Sequence, residues 1–396
     1  MPLISNRGQK AYDSPIRSLI PFAEAAEKRG TEVIYLNIGQ PDIPTPANAL
    51  AAVKNMDAQV VKYAPALGNT GYREKLTEYY RRFDIDLTAD RIMVTTGASE
   101  AVFLAMMSCL DEGDEIIVPE PFYAIYNGFS NIAKVKIVPL TCHIENGFKL
   151  PQVSDFEKVI TKRTKAVFIC NPNNPTGCLY SEKALRELAT LVKRHNLFLF
   201  ADEVYREFCY DGQEFFSALN LPGLEENVVV LDSISKRFSA CGARVGALVT
   251  RNRGVIEAAV RFARYRLSPP SLGQILAEAT IDTPPAYMQE TVAEYDRRRV
   301  TLFERLQKIP GVVSYRPGGA FYNFVKLPIE DSEHFCKWLL TDFSHQGTTV
   351  MLAPGTGFYA TRGKGKDEVR IAYVLNSADL HRAMDALEAA LAVYQH

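Results

Sequence analysis

Lys236 closes the run Asp232-Ser233-Ile234-Ser235-Lys236, and Arg244 follows eight positions later. Upstream lie Asp202-Glu203-Val204-Tyr205 and Asn171-Pro172-Asn173-Asn174-Pro175-Thr176-Gly177, the latter too rich in Pro and Asn to serve only as a link. Pro119-Glu120-Pro121-Phe122-Tyr123 adds aromatic rings. Gly97-Ala98-Ser99 opens a helical stretch, where small residues leave backbone N–H groups free to bind phosphate and Ser99 adds a hydroxyl. Each feature has a bland reading: a helix cap for Ser99 or Asp202, core packing for Tyr123, a solvated surface for Lys236. Their common position carries more weight than any one of them, because each directly follows a short apolar run.

Those runs are Ile92-Met93-Val94, Glu115-Ile116-Ile117-Val118, Val135-Lys136-Ile137-Val138, Ala166-Val167-Phe168-Ile169, Leu197-Phe198-Leu199-Phe200, Val228-Val229-Val230-Leu231 and Ala247-Leu248-Val249. Near-continuous apolar runs of this length suit strands covered on both faces. They alternate with helical stretches such as about 98–109 and 181–195, the second with Ser181 as its cap. The pattern predicts an α/β fold with a mainly parallel sheet, whose ligands bind at the carboxyl ends of the strands. Before it, Ser14, Pro15 and Gly30 mark the ends of a helix that Pro21 should kink or split, and Val33 to Ile38 reads as a strand. After Pro284-Pro285 comes a long charged helix, about 286–308, and a smaller α+β region. The expected division is a large domain over 46–284 and a small domain built from 1–45 and 285–396.

The ordered set Asn-Pro-Asn-Asn-Pro-Thr-Gly, Asp-Glu-Val-Tyr, and Ser-Ile-Ser-Lys with an arginine eight residues on resembles the class I/II aminotransferases, which are fold-type-I pyridoxal-phosphate enzymes. The resemblance runs from Gly39-Gln40-Pro41-Asp42 to Arg370-Ile371-Ala372. It implies a seven-stranded, mainly parallel sheet in the large domain and a homodimer with active sites at the subunit boundary.

Residue roles follow from the same resemblance. Lys236 matches the Schiff-base lysine, whose amine condenses with the cofactor aldehyde and then shuttles a proton. Asp202 matches the carboxylate that keeps the pyridine nitrogen protonated. Tyr205 and Asn174 match the groups on the phenolic oxygen, and Tyr123 the ring stacked on the pyridine. Ala98, Ser99, Ser233 and Arg244 match the phosphate cup. Tyr63 matches a tyrosine that reaches the phosphate from the neighbouring subunit. Arg370 matches the arginine that grips the substrate α-carboxylate, and Gly39 a loop that contacts the same group.

Substrate choice is less determined. Some prokaryotic aspartate aminotransferases carry a lysine where this chain has Ser99, so that route to a second carboxylate is closed. In another branch a partner arginine before an Asn-Pro-Pro-like segment serves, and Arg264 and Arg266 precede Ser268-Pro269-Pro270 here, though out of register. Either these arginines favour aspartate, or they are solvated residues on one helix face. The expected reaction is transfer of an amino group from aspartate to a 2-oxo acid such as 2-oxoglutarate, with alanine or aromatic amino acids as alternatives. A C–S β-lyase on the same fold is disfavoured because such enzymes tend to carry Asp-Glu-Ile-His. A non-catalytic regulator is disfavoured because Lys236 and Arg370 are both retained.

Bulk properties agree with a cytoplasmic enzyme of small molecules. The 45 basic and 46 acidic residues nearly cancel, which disfavours nucleic acid as a partner. Seven scattered cysteines without a CxxC pair argue against a disulfide framework or zinc site. Charges at Arg7, Lys10, Asp13 and Arg17 break any signal-like apolar stretch, and no run is long enough to span a membrane. The run Arg297-Arg298-Arg299 reads as a solvated helix face, His195 as a surface residue at a helix end, Cys241 as packing, and Gly318-Gly319 and Gly355-x-Gly357 as turns.

Overall fold

The structure, a computed structural model, describes residues 2–9 and 14–394; Lys10 and Asp13 lie outside the described residues. Every apolar run of the predicted sheet is a strand: β2 (Ile92–Thr95), β3 (Glu115–Glu120), β4 (Lys136–Thr141), β5 (Thr164–Cys170), β6 (Phe198–Asp202), β7 (Val228–Ser233) and β8 (Gly246–Val249). They form one seven-stranded sheet in the order β2-β8-β7-β6-β5-β3-β4. Only β8 runs against its neighbours, so the sheet is mainly parallel.

Successive side chains of a strand point to opposite faces. Val228 and Val230 therefore enter one apolar core with Val167, Leu199 and the helix Glu182–His195. Val229 and Leu231 enter another with Phe168, Phe200 and the helix Gly97–Cys109. Because both faces are covered, the strands carry no polar alternation. The Ser181 hydroxyl accepts from the Ala184 amide at 3.3 Å, capping its helix as expected.

A third core joins β1 (Glu32–Tyr35), β9 (Tyr322–Lys326), β10 (Thr348–Met351) and β12 (Glu368–Ala372) with the helices Pro285–Leu306, Ser332–Thr341 and Ser377–Val393. β1 pairs parallel with β10, and β12 lies antiparallel between β9 and β11 (Ala353–Pro354).

Two local expectations are corrected. Residues 15–19 form turns, and the first long helix starts at Ile20, with Pro21 in its first turn instead of at a kink. Proline fits there because the first turn has no partner for its missing N–H. The triple-arginine run is not a solvated face: Arg298 and Arg299 are buried, and Arg297 alone is exposed. Arg298 pairs with Glu294 and Asp42, Arg299 with Asp211 and Asp296, so the charges are neutralised inside the fold.

Candidate active site

β3, β5, β6 and β7 are parallel, and two antiparallel steps through β8 bring β2 into the same direction. Their carboxyl ends border a cleft of about 770 Å³. Gly39, Ala98, Ser99, Tyr123, Asn174, Asp202, Tyr205, Ser233, Lys236, Arg244 and Arg370 all line it. Of the site residues expected from the sequence, only Tyr63 lies elsewhere.

The Lys236 amine donates to the Gly39 carbonyl at 2.7 Å. Burial disfavours its ammonium, yet the Tyr322 and Tyr123 hydroxyls and the Cys241 thiol outweigh this and leave its pKa raised. Gly39 tolerates no side chain: a Cβ there would sit 1.8 Å from the Tyr322 hydroxyl.

Asp202 is buried at the end of β6. Its Oδ2 accepts from the Tyr126 hydroxyl at 2.7 Å and its Oδ1 from the Val204 amide at 3.3 Å. Burial pushes its carboxyl up to about 6, with these two donors opposing the rise. Tyr126 was not expected from the sequence. The available signal was its place three residues after Tyr123, in the first turn of the helix Ile125–Ala133.

A second layer lies beneath these residues. Arg237 donates to Asp232 at 2.7 Å, Arg206 lies 3.3 Å from Glu203 and 3.6 Å from Asp232, and Tyr80 donates to Asp232 at 2.9 Å. All four charged side chains are 1% exposed. Burial opposes ionisation of Asp232, but Arg206 and Arg237 hold its carboxyl well below the usual range. Burial instead raises Glu203 to about 7. The layer alternates with the cleft along the chain: Asp202 and Tyr205 face the cleft while Glu203 and Arg206 lie behind, as Asp232 and Arg237 lie behind Ser233 and Lys236. It thus ties the loop after β6 to the loop after β7.

Arg370, on β12, is 1% exposed. It donates to Asn174 Oδ1 at 2.9 Å and to the Asn37 carbonyl at 2.5 Å, and its guanidinium lies 4.5 Å from the Tyr322 ring centroid. Its Nε is buried without a hydrogen-bond partner among the described residues. Asn174 Nδ2 lies 3.4 Å from the Tyr205 hydroxyl, which meets the Tyr322 hydroxyl at 3.0 Å. Burial, followed by the Tyr322 hydroxyl, raises Tyr205 well above the ordinary phenol, so it stays protonated and able to donate. The Asn171–Gly177 turn is pinned by Gly318 and Gly319, whose amides both donate to the Gly177 carbonyl at 2.9 Å. Gly318 lies in a bend and Gly319 in an isolated antiparallel bridge with Cys209, where turns were expected.

At the opposite end Gly97 (φ +75°) starts its helix against Arg244, and a Cβ there would meet the guanidinium at 2.4 Å. Arg244 donates to the Cys241 carbonyl at 2.9 Å. The Ser233 hydroxyl is engaged by the Val245 carbonyl and Ser235 Oγ, each at 2.8 Å. Ser235 also lines the cleft and joins the expected set. Cys241, expected to be packing, is half-buried and lines the cleft with its thiol 3.1 Å from the Ser235 carbonyl. His195 ends its helix as expected, its Nε2 2.8 Å from Glu157.

The remaining expectations concern a second subunit. Tyr63 is 79% exposed, and Val60, Val61, Tyr265 and Leu267 are exposed too. The two segments are joined where Ser271 donates to the Lys62 carbonyl at 2.9 Å and Arg266 to the Ala66 carbonyl at 3.2 Å. Arg266 is further tied to Glu100 at 2.7 Å and to the Val94 carbonyl at 2.9 Å. These bonds commit the Nε and Nη2 of Arg266 within the chain, while its Nη1 has no hydrogen-bond partner among the described residues and Arg264 is exposed. Among the described residues no cluster suits a metal ion, and no helix is long and apolar enough to cross a membrane.

A family model described as aminotransferase class I and II matches residues 31–387. An aspartate aminotransferase of Pyrococcus horikoshii is 32% identical, over 96% of this chain and 94% of its own length. Aromatic-amino-acid aminotransferase 2 of Thermococcus litoralis is 30% identical, over 98% of each. Among solved structures, an alanine aminotransferase from Pyrococcus furiosus is similar, with a TM-score of 0.90 at 31% identity, over 99% of this chain and 100% of that one.

Proposed function

This chain belongs to the class I and II aminotransferase family, and from that membership we propose that it moves the amino group of an L-amino acid, aspartate first, to a 2-oxo acid such as 2-oxoglutarate in a ping-pong exchange with pyridoxal 5′-phosphate as cofactor. The observation that carries this reading is one cleft uniting the Lys236 amine, the buried Asp202 carboxyl and Arg370. Relatives of similar likeness are named for aspartate, aromatic amino acids and alanine, so alanine and aromatic substrates are the alternatives.

The residues present fit the cofactor. The unpartnered Nε of Arg370, the close approach of Gly97 to Arg244, and the buried acid at Asp202 are features an anion and a basic ring nitrogen would satisfy. When bound, the cofactor supplies an electron sink for the bond broken at the substrate Cα. Asp202 would hold the ring nitrogen, Tyr205 and Asn174 the phenolic oxygen, and Tyr123 the ring face. Ala98, Ser99, Ser233, Ser235 and Arg244 would hold the phosphate, with Tyr63 contributed by a second copy. Lys236 would anchor the cofactor and carry the proton at Cα, while Arg370 and Gly39 hold the α-carboxylate.

The same reading makes the protein a homodimer, with a large domain over 46–284 and a small one from 1–45 and 285–396. It also places the protein in the cytoplasm, supported by seven cysteines that are all free thiols. The test is borohydride treatment of the purified protein followed by peptide mass spectrometry. A pyridoxyl group on Lys236, absent from Lys236→Ala, is expected; a label on another lysine overturns the assignment. Pyruvate released from cysteine without cofactor amination would instead indicate the β-lyase.

A further inference from the structure

Four cationic side chains line the cleft: Lys236, Arg244, Arg370 and Arg17. The first three have tasks under the proposed function, and each is hydrogen-bonded to the cleft wall. Arg17 has no task there. Its guanidinium makes no hydrogen bond or ion pair among the described residues, and Asp202 is the sole carboxylate among the lining residues.

The position of Arg17 is set from the α-carboxylate end of the cleft. Asn37, fully buried, accepts Arg370 on its carbonyl and donates from Nδ2 to the Ile16 carbonyl at 2.7 Å. One residue thus spans from the Arg370 guanidinium to the backbone next to Arg17. The turn itself is held by Arg17 and Ser18 amides on the Ser14 carbonyl, at 3.0 and 2.9 Å, and by buried Leu19. Its Pro15 packs so closely on Gly357 that a Cβ there would lie 2.1 Å away. A fixed backbone with an uncommitted guanidinium at a cleft edge is suited to a second anionic group on a ligand whose first is held by Arg370.

We propose that Arg17 receives the distal carboxylate of a dicarboxylic substrate from within the same chain, selecting dicarboxylic over neutral amino acids. This deepens the proposed function and rests on it. It is the alternative to a distal-carboxylate contact from Arg264 or Arg266 of a second copy, of which Arg266 is tied to Glu100.

The test measures each half-reaction of the loaded enzyme by single-turnover absorbance, with aspartate, glutamate, alanine and phenylalanine, in wild type, Arg17→Ala and Arg17→Lys. Maleate and butyrate dissociation constants supply a readout independent of turnover. Loss of one charge-assisted contact predicts that Arg17→Ala lowers kcat/KM for aspartate and glutamate by about tenfold to a hundredfold and weakens maleate similarly. Alanine, phenylalanine and butyrate should change less than about twofold on the same scale, and Arg17→Lys should restore part of the loss. Equal losses for all substrates would mean that Arg17 only supports the turn, and no loss would mean it faces solvent; either overturns the proposal. If wild type converts neutral amino acids but not aspartate or glutamate, the proposal fails while the aminotransferase reading stands. If it converts none, both fail.

Discussion

The Tyr126 hydroxyl lies 2.7 Å from Asp202 Oδ2, and the Tyr126 ring stacks on Phe168 with centroids 4.2 Å apart. One rigid aromatic side chain thus orients the carboxylate assigned to the cofactor ring nitrogen. In Tyr126→Phe the ring packing survives while a buried oxygen loses its donor, which commonly costs about 1–3 kcal/mol. Asp202 then becomes harder to ionise. Turnover should fall at neutral pH, and the acid limb of the kcat/KM profile should move to higher pH. An unmoved limb with reduced turnover would show that Tyr126 acts only through packing.

Asp202 itself should destabilise the cofactor-free fold. Burial pushes its carboxyl up to about 6, against 3.8 for the free side chain. Between those values the folded chain binds a proton that the unfolded chain does not, so stability declines as pH rises through this window. Asp202→Asn removes the charge and retains an acceptor for Tyr126. The cofactor-free variant should therefore be more stable than wild type at pH 8, by on the order of 2–3 kcal/mol, with no gain near pH 3. Denaturant unfolding at both pH values checks this, and a gain that persists at pH 3 would point to a cause other than ionisation. In the loaded enzyme the same variant should lose most of its turnover, about 10² to 10⁴.

Arg370→Lys should weaken every amino-acid substrate, because the α-carboxylate is common to all. A lysine cannot reproduce the planar grip, nor keep both the Asn174 and Asn37 bonds. KM is expected to rise by roughly tenfold to a hundredfold across side chains. A loss confined to one substrate class would reassign Arg370 to side-chain recognition and directly conflict with the Arg17 proposal.

Val60, Val61, Tyr63, Tyr265 and Leu267 are exposed apolar or aromatic residues on two segments joined by the Ser271–Lys62 and Arg266–Ala66 hydrogen bonds, and the shared-site reading buries them against a second copy. Sedimentation should give twice the chain mass, and Leu267→Asp should reduce it to one while weakening the cofactor. Tyr63→Phe should raise the cofactor dissociation constant by about tenfold without changing the mass, as expected for one hydrogen bond to a charged group. A fully active monomer would sink the shared-site reading.

The sheet and much of the cleft are legible in the sequence, for a physical reason. A strand buried on both faces must be apolar throughout, so the first polar residue after each run marks the carboxyl edge. Asn174, Asp202, Ser233 and Lys236 lie at or just beyond such edges, and the family resemblance points to Arg370 and Gly39. The long-range partners left no such mark. Tyr322 reads as one more aromatic of a buried strand, and Asn37 as the end of another, until β12 brings Arg370 between them.

Local pattern therefore determined which elements exist and which residues reach their ends, because periodicity and turn chemistry act over a few positions. Only the tertiary structure decided which charges are buried, paired or left free. Arg298 and Arg299 are drawn inside by Asp42 and Asp211, and Arg266 is held by Glu100. Arg17, in the sequence only one of the charges that break an apolar N-terminal stretch, is left at the cleft edge without a partner among the described residues. The sign and number of charges are local properties of a chain. Their partners come from distant segments, and a guanidinium is a structural tie or a free hand for substrate according to which carboxylates the fold brings within reach.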